Sequence, residues 1–291
     1  MTRPARASTA GLPAAPAAAV PLYPFRAWLP APLYWLYRGW RTLTVALCFA
    51  GFWSGAFLLA WLWFPLHSLG PGPRVARMRR LHRSVRRGFL LFHFTMRALR
   101  LYHRRSPVAA LRPGTSPVVL VANHPTLCDV TSIASLFPDV VAVARPSFAA
   151  NPLIGRIVRA CGFVPTSVRL LAECEERLRQ GFDVLIFPEG TRSPIGGLHP
   201  FHRGAFELAA RANVPILLLK LTCVPPALSK GLPIWKVADR MAVLTVEPLE
   251  LIPAVPRGGS RAMCAAIEQR YRDLLGYPAP AVARTSSGDP S

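Results

Sequence analysis

Residues 117–129 read PVVLVANHPTLCD, a short apolar run that stops abruptly at polar residues. Similar runs recur further along the chain, at Val140–Ala144, Val184–Phe187, Ile216–Leu221 and Ala242–Val246. Short apolar runs bounded by loops predict strands buried on both faces. Helix-like stretches lie between several of them, most clearly Val168–Gln180, which Gly181 closes. The sequence therefore predicts an α/β domain, a mostly parallel sheet flanked by helices.

Where the first predicted strand ends, a histidine is followed five residues later by an aspartate. His124 leaves the strand, and Pro125 is well suited to begin a helix that brings Asp129 back to the imidazole. In such a pair the carboxylate fixes the tautomer of a histidine base and stabilises its charged form. No G-x-S-x-G elbow, S-x-x-K nucleophile or P-loop accompanies it. The pattern predicts a base whose substrate supplies the attacking hydroxyl.

A second polar motif, FPEGTRS, occupies residues 187–193 at the end of another predicted strand. α/β sheets gather their ligands at the carboxyl ends of strands. The guanidinium of Arg192 is suited to grip a phosphate, and Gly190 allows backbone to approach an anion closely. Arg203 precedes a helix-like stretch, Ala205–Arg211, whose start is a second place suited to an anion; a plain surface charge is the alternative for Arg203.

An uncharged stretch of 24 residues, Leu43–Leu66, follows a region rich in Trp and Tyr. As a helix with a rise of ~1.5 Å per residue it would be roughly 36 Å long, enough to cross a ~30 Å hydrocarbon core. Trp and Tyr favour the membrane–water interface. The stretch is too long and begins too late for a signal peptide. We expect an N-terminal membrane helix.

Basic residues flank both ends of this apolar stretch. Arg38 and Arg41 precede it, and a larger cluster follows it at Arg74, Arg77, Arg79, Arg80, Arg83, Arg86 and Arg87. The larger cluster predicts that the following domain faces the cytoplasm from the inner (cytoplasmic) membrane. Whether the segment spans or re-enters the bilayer stays open. Residues 88–101 resemble an interfacial amphipathic helix, and the arginine cluster is suited to anionic head groups.

These patterns divide the chain into four parts. We expect a disordered leader at 1–21 and a membrane-embedded or interfacial region at 22–105, with an apolar helix at about 43–66 and an amphipathic helix at about 75–101. The catalytic domain is predicted at 106–277, ending in a helix at 258–275, and a disordered tail at 278–291.

The composition excludes several classes of protein. Of 291 residues, 52 % are apolar and 17 % charged, which excludes an intrinsically disordered chain and a coiled coil. The net charge of +21 predicts an anionic neighbour such as a membrane, a nucleic acid or an acidic protein. Six scattered cysteines form no C-x-x-C pair, so buried thiols in a reduced compartment are expected. No ligand cluster predicts a metal.

The two motifs carry a family resemblance. Asn123–Asp129 resembles the NHxxxxD block of the glycerolipid (lysophosphatidate-type) acyltransferases, and Phe187–Ser193 is similar to that family's second signature. Two weaker blocks also correspond, at 161–165 and 214–216. Together they cover about residues 117–247.

This resemblance implies a membrane-bound O-acyltransferase. A fatty acyl chain would pass from acyl-CoA or acyl-carrier protein, as donor substrate and without a further cofactor, to the hydroxyl of a lysophospholipid-type acceptor. His124 would deprotonate that hydroxyl, and Asp129 would orient the imidazole. The candidate substrate-binding residues are Asn123, Glu189, Gly190, Thr191, Arg192 and Arg203.

The chain departs from the family pattern at one place. The intermediate block of the family usually ends in an arginine that helps to bind the acceptor phosphate, whereas Val168 stands there in this chain. Either Arg169 or Arg145 substitutes, or the acceptor is not an ordinary lysophosphatidate.

Two other functions remain as alternatives. A hydrolase could use the same base to activate water. A basic membrane-tethered protein could bind nucleic acid, but only three of the 35 basic residues are Lys and no nucleic-acid motif is present. Membrane lipids and an acyl donor are therefore the expected partners, and nucleic acid is not.

Overall fold

The structure is a computed structural model that describes residues 22–68, 70–106, 117–152, 154–254 and 258–278. The predicted leader, residues 1–21, and residues 279–291 of the predicted tail lie outside the described residues.

A seven-stranded sheet forms the centre of the α/β domain. Its strands are β1 (Tyr102–Arg105), β2 (Val119–Ala122), β3 (Val140–Ala144), β4 (Val164–Pro165), β5 (Asp183–Ile186), β6 (Ile216–Val224) and β7 (Ala242–Ile252). The spatial order is β1-β7-β6-β2-β5-β3-β4, and every neighbouring pair is parallel except β6 and β7. Helices cover both faces, so the predicted fold class is confirmed.

Nine α-helices lie in the described part of the chain. They are α1 (Ala31–Leu58), α2 (Phe64–Ser68), α3 (Arg74–Ala98), α4 (Asp129–Leu136), α5 (Pro146–Ala150), α6 (Gly155–Ala160), α7 (Leu170–Arg179), α8 (Gly204–Ala212) and α9 (Ser260–Leu275). A short 3₁₀ turn at Pro24–Ala27 precedes α1, and a π-helical turn at Leu59–Trp63 joins α1 to α2.

The central strand β2 is completely buried because both of its faces are covered. Leu120 and Ala122 pack in a cluster with α3 and α4, whereas Val119 and Val121 pack in a second cluster with α7, α8 and α9. The uninterrupted apolar run that predicted this strand follows from that double coverage.

The two edge strands, β1 and β4, were not predicted. β1 reads Tyr-His-Arg-Arg, and β4 contains only two residues. An edge strand has one neighbour and faces solvent, so neither carries the apolar run that revealed the central strands.

α1, the π-helical turn and α2 form one continuous apolar helical segment, Ala31–His67. The most apolar stretch of 18 residues within it has a mean hydropathy of 1.9, and only 22 % of that stretch is buried. The segment begins earlier than the predicted 43–66, and its Arg38 and Arg41 side chains are accommodated because they turn toward the α/β domain. The Arg41 guanidinium donates to the carbonyls of Arg100 (3.2 Å) and Arg240 (3.4 Å).

Candidate active site

The two polar motifs meet where the central strands β2 and β5 end. β2 and β5 are adjacent and parallel, so the segments that follow them, Asn123–Asp129 and Phe187–Ser193, leave the sheet side by side. The backbone joins them directly, since the N–H of Ser193 donates to the carbonyl of His124 over 2.8 Å. The motifs therefore lie at the carboxyl ends of the parallel strands, where α/β folds bind ligands.

His124 and Asp129 form the predicted contact. Nδ1 of His124 lies 2.7 Å from Oδ2 of Asp129, and the imidazole stacks on the ring of Phe187 with 4.0 Å between centroids. Asp129 is fully buried, whereas 17 % of the His124 side chain is exposed. With Nδ1–H donating to the carboxylate, Nε2 is left as the basic nitrogen. Among the described residues, the ring has no other hydrogen bond.

The turn between them differs from the prediction. α4 begins at Asp129 rather than at Pro125, and residues 126–128 form a tight turn instead. The Thr126 N–H donates to Oδ2 of Asp129 over 2.7 Å, and the Thr126 hydroxyl donates to Oδ1. These bonds close the turn on the carboxylate and hold it against the imidazole.

Glu189 is a buried carboxylate that joins three segments. Its Oε1 accepts from the His124 N–H (3.0 Å) and from the Ser193 hydroxyl (2.6 Å), and its Oε2 accepts from the His199 N–H (3.0 Å). Burial raises the pKa of the Glu189 carboxyl, and these hydrogen bonds oppose that shift. Both oxygens point at protein donors, so the carboxylate fixes the backbone of His124.

Asn123 is also engaged with the protein. Its side-chain amide donates to the carbonyl of Leu221 and its oxygen accepts from the Leu221 N–H, both over 2.8 Å. The side chain is buried, and it extends the pairing of β2 with β6 by one step beyond the strand.

The Gly190–Arg192 segment forms a loop that follows β5. Gly190 has a φ of +66°, in the left-handed region that glycine adopts without strain. The Thr191 hydroxyl accepts from the Arg145 guanidinium over 3.2 Å. The half-buried Arg192 donates to the carbonyl of Leu228 over 2.9 Å.

The structure separates the two arginines that could replace the missing family arginine. Arg145 follows β3, the neighbour of β5, and therefore reaches Thr191 in the second motif. Arg169 follows β4 at the far edge of the sheet, and its described hydrogen bonds are local backbone ones, to the Ser167 hydroxyl and from the Glu173 N–H.

Arg203 lies apart from this network. It is exposed at the start of α8, and its side chain makes no hydrogen bond with a described residue. The neighbouring His202 ties the start of α8 to the second motif, because its N–H donates to the carbonyl of Pro188 over 2.8 Å.

Four residues of the site were not among the predicted site residues. Thr126 and Ser193 lie inside the two motifs, and their hydroxyls beside charged residues were the available signal. Phe187, the aromatic residue at the end of its strand, was a weaker one. Nothing in the sequence pointed to Leu228, which is far along the chain and contributes only its carbonyl.

No group of three or more His, Cys, Asp or Glu side chains that could hold a metal ion occurs in the described ranges. The six cysteines are unpaired and buried. Burial raises the pKa of the Cys128 and Cys223 thiols, so these thiols, close to Asp129 in the chain or in space, are poor nucleophiles.

The fold and this site define an α/β domain with a His–Asp pair at the carboxyl ends of its parallel strands. Residues 102–220 match the model of the family described as Acyltransferase. These residues contain both motifs, and the resemblance to this family that the motifs predicted is confirmed over them.

Curated relatives are named 1-acyl-sn-glycerol-3-phosphate acyltransferases. The chloroplast protein of Arabidopsis thaliana is 35 % identical over 132 residues, 42 % of this chain and 37 % of the relative. The alpha enzyme of Mus musculus is 30 % identical over 180 residues, 56 % of this chain and 63 % of the relative. The chain thus spans between about a third and two thirds of the length of these relatives.

A solved structure has the same fold. The 1-acyl-sn-glycerophosphate acyltransferase PlsC from Thermotoga maritima superposes with a TM-score of 0.62 at 20 % sequence identity. The match covers 84 % of this chain and 98 % of that protein, so the shared fold includes much of the N-terminal region as well as the sheet.

Proposed function

We propose that the protein transfers a fatty acyl chain from an acyl thioester, acyl-CoA or acyl-carrier protein, to the hydroxyl of a lysophospholipid-type acceptor. The observation that carries this proposal is the His124–Asp129 pair, 2.7 Å apart, at the meeting point of both family motifs. The names of the relatives support the same reaction and acceptor class.

In this mechanism Nε2 of His124 takes the proton from the acceptor hydroxyl as its oxygen attacks the thioester carbonyl. The C–O bond forms, the C–S bond breaks, and the imidazolium returns the proton to the departing thiolate. Asp129 stabilises the imidazolium and keeps Nε2 directed at the substrate. General-base assistance of this kind contributes ~10²–10⁴-fold to the rate.

Arg192, Arg145 and Thr191 supply the groups for the acceptor phosphate. Thr191 and Arg192 are neighbours in the second motif, and Arg145 is hydrogen-bonded to Thr191 from the adjacent strand end. Two guanidinium groups and a hydroxyl are suited to the oxygens of a phosphate monoester. Arg203, exposed at the start of α8, is a further basic residue for an anionic substrate.

We place the enzyme at a membrane surface, with the catalytic domain on the cytoplasmic side. The apolar segment Ala31–His67 is long enough to cross a bilayer and is mostly unburied. Trp28, Trp35 and Trp40 are 83, 65 and 61 % exposed around its start, as expected for interfacial anchors. The arginines at the start of α3 favour the cytoplasmic orientation.

The test is a transfer assay with purified protein in detergent. Labelled acyl-CoA or acyl-carrier protein is mixed with a panel of lysolipids, and a new diacyl product is expected. His124→Ala should lower kcat by about 10²–10⁴-fold. His103→Ala, a matched change on the edge strand β1, should leave turnover near normal.

Other outcomes of this assay would contradict the proposal. Near-normal turnover by His124→Ala would exclude this histidine as the base. Free labelled fatty acid formed without any lysolipid would instead identify a hydrolase that activates water.

A further inference from the structure

A loop, residues 229–236, lies at the same end of the strands as the candidate active site, and its residues from Lys230 onward are mostly exposed. β6 runs parallel to β2 and ends at Val224, and β7 returns antiparallel from Ala242. The connection between them therefore leaves the sheet where His124 leaves it. We refer to these residues as loop 229–236.

The tip of loop 229–236 is apolar and unburied. Ile234 is 43 % exposed and Trp235 is 63 % exposed. Lys230 and Lys236, also exposed, flank this pair. They are two of only three lysines in the chain, so the loop combines apolar side chains with flexible cations in one short segment.

Backbone turns fix the shape of the loop. The N–H of Leu232 donates to the carbonyl of Ser229 over 3.1 Å, and the N–H of Lys236 donates to the carbonyl of Pro233 over 2.9 Å. The flanking residues Leu228 and Asp239 are buried. The tip is thus held outward from two buried ends.

One buried end is tied to the catalytic motifs. The carbonyl of Leu228 accepts from the Arg192 guanidinium and from the Leu127 N–H, each over 2.9 Å. Leu127 belongs to the His124 motif and its side chain is 40 % exposed. The loop therefore continues directly from the opening of the site.

The other end is tied to the N-terminal region. The Asp239 carboxylate accepts from the Phe25 N–H (2.9 Å), the Asp239 N–H donates to the carbonyl of Leu22 (2.8 Å), and the Tyr37 hydroxyl donates to the Asp239 carbonyl. Arg38 donates to the carbonyl of Val237. Loop 229–236 is thus joined to the start of α1, where the exposed tryptophans lie.

We propose that loop 229–236 is a second lipid-contacting element, in which Ile234 and Trp235 enter the interface of an anionic membrane and Lys230 and Lys236 contact its head groups. The inference rests on the proposed membrane location. Indole and lysine side chains are both suited to this boundary, because each pairs an apolar body with a polar end. The loop holds the opening of the active site at the lipid surface.

Charge and continuity favour lipid as the occupant. Basic residues near an anionic leaflet are attracted to it within a Debye length, and apolar tips alone do not supply that attraction. The hydrogen bonds through Asp239 make the loop continuous with the aromatic start of α1. A lipid surface would meet both at once.

Spin-label depth measurements test the proposal in liposomes of phosphatidylcholine and phosphatidylglycerol. Because all six native cysteines are buried, a cysteine introduced at an exposed position can be labelled selectively. The variants are Trp235→Cys, Leu43→Cys in α1 as a lipid reference, and Leu251→Cys as a water reference. Leu251 pairs with Leu217 near the start of β6, at the opposite end of the strands from the candidate active site.

The label at position 235 should collide with oxygen several-fold more often, relative to an aqueous nickel complex, than the label at 251. A label at 235 as water-exposed as that at 251, with 43 in lipid, would overturn this inference alone. If the label at position 43 were also exposed to water, the proposed membrane location would be contradicted as well. Protection at 235 that requires added acyl-carrier protein would assign the loop to a protein partner instead. None of these readouts depends on acyl transfer.

Discussion

At the residue scale, the candidate site rests on carboxylates with different tasks. Asp129 faces the imidazole of His124, whereas Glu189 faces backbone N–H groups and the Ser193 hydroxyl. One carboxylate is therefore placed to stabilise the charge of the proposed base, and the other to fix its position. The sequence predicted that Asp129 orients the imidazole, but it assigned Glu189 to substrate binding, whereas both Glu189 oxygens contact protein donors.

The Glu189→Gln variant tests the positioning role. The amide can keep an acceptor at His124, but its NH₂ group would oppose the N–H of His199, which now donates to Oε2. Because a hydrogen bond to a charged group contributes about 1.5–3 kcal/mol, we expect kcat to fall about tenfold or more with little change in the acceptor KM.

Steady-state kinetics with the acceptor varied would measure this effect. Glu247→Gln, which changes the surface partner of Lys220, is the control and should behave as the unmodified protein. A change confined to KM would instead assign Glu189 to substrate binding.

At the scale of elements, the site depends on how β2, β5 and β6 are joined beyond their ends. The strands stop at Ala122, Ile186 and Val224, and polar side chains continue the connections. Asn123 bridges to β6 through the backbone of Leu221, and Glu189 bridges the segments after β2 and β5. These bridges hold the two motifs together.

The Asn123→Ala variant removes one bridge. It would leave the N–H and carbonyl of Leu221 buried and unpaired, and each such group costs about 1–3 kcal/mol. We expect the free energy of unfolding to fall by about 2–4 kcal/mol. Denaturant unfolding in detergent would measure this loss.

Thr222→Ala, which removes a half-buried hydroxyl from the next position of β6, is the comparison. Its effect should stay within about 1 kcal/mol. Equal stability of the Asn123→Ala variant and the unmodified protein would show that this amide serves the substrate rather than the sheet.

At the scale of the whole molecule, α3 joins the N-terminal region to the catalytic domain through buried histidines. His82 lies 2.7 Å from the carbonyl of Cys161, and His93 lies 3.1 Å from the Thr131 hydroxyl of α4. Burial, together with the Arg104 charge, lowers the pKa of His93 to about 4. Burial also lowers the pKa of His82.

Acid should therefore weaken this junction. Because the unfolded chain takes up protons near pH 6.5 and His93 in the folded protein only near pH 4, stability falls as the pH drops through this window. At about pH 5 the contribution of His93 to this loss is about 2 kcal/mol. It grows to about 3 kcal/mol below pH 4.

Thermal unfolding of the unmodified protein and of His93→Gln at neutral pH and at about pH 5 would test this. The variant should lose less stability on acidification because it lacks the His93 contribution. It should still lose some, because His82 is present in both proteins. Identical losses would show that His93 does not govern the acid response.

Much of the fold could be predicted because burial leaves a mark on the sequence. The five strands that contribute to the core contain apolar runs, and α7 and α9 follow their predicted ranges closely. The edge strands β1 and β4 could not be predicted, since partial exposure leaves no such run. The earlier start of α1 was hidden for a related reason: Arg38 and Arg41 interrupt the apolar pattern, and only their distant partners explain it.

The sequence by itself determined the fold class and the two motifs, because hydrophobic burial and local chemistry are encoded in neighbouring residues. Only the tertiary structure decided how the motif residues divide their work. In the structure Asn123 bonds to the backbone of β6, Glu189 accepts from the N–H of His124, and Arg192 donates to the carbonyl of Leu228. The partners in these three contacts are separated by 98, 65 and 36 positions in the sequence. Contacts between such distant residues depend on the register of packed strands rather than on any local pattern.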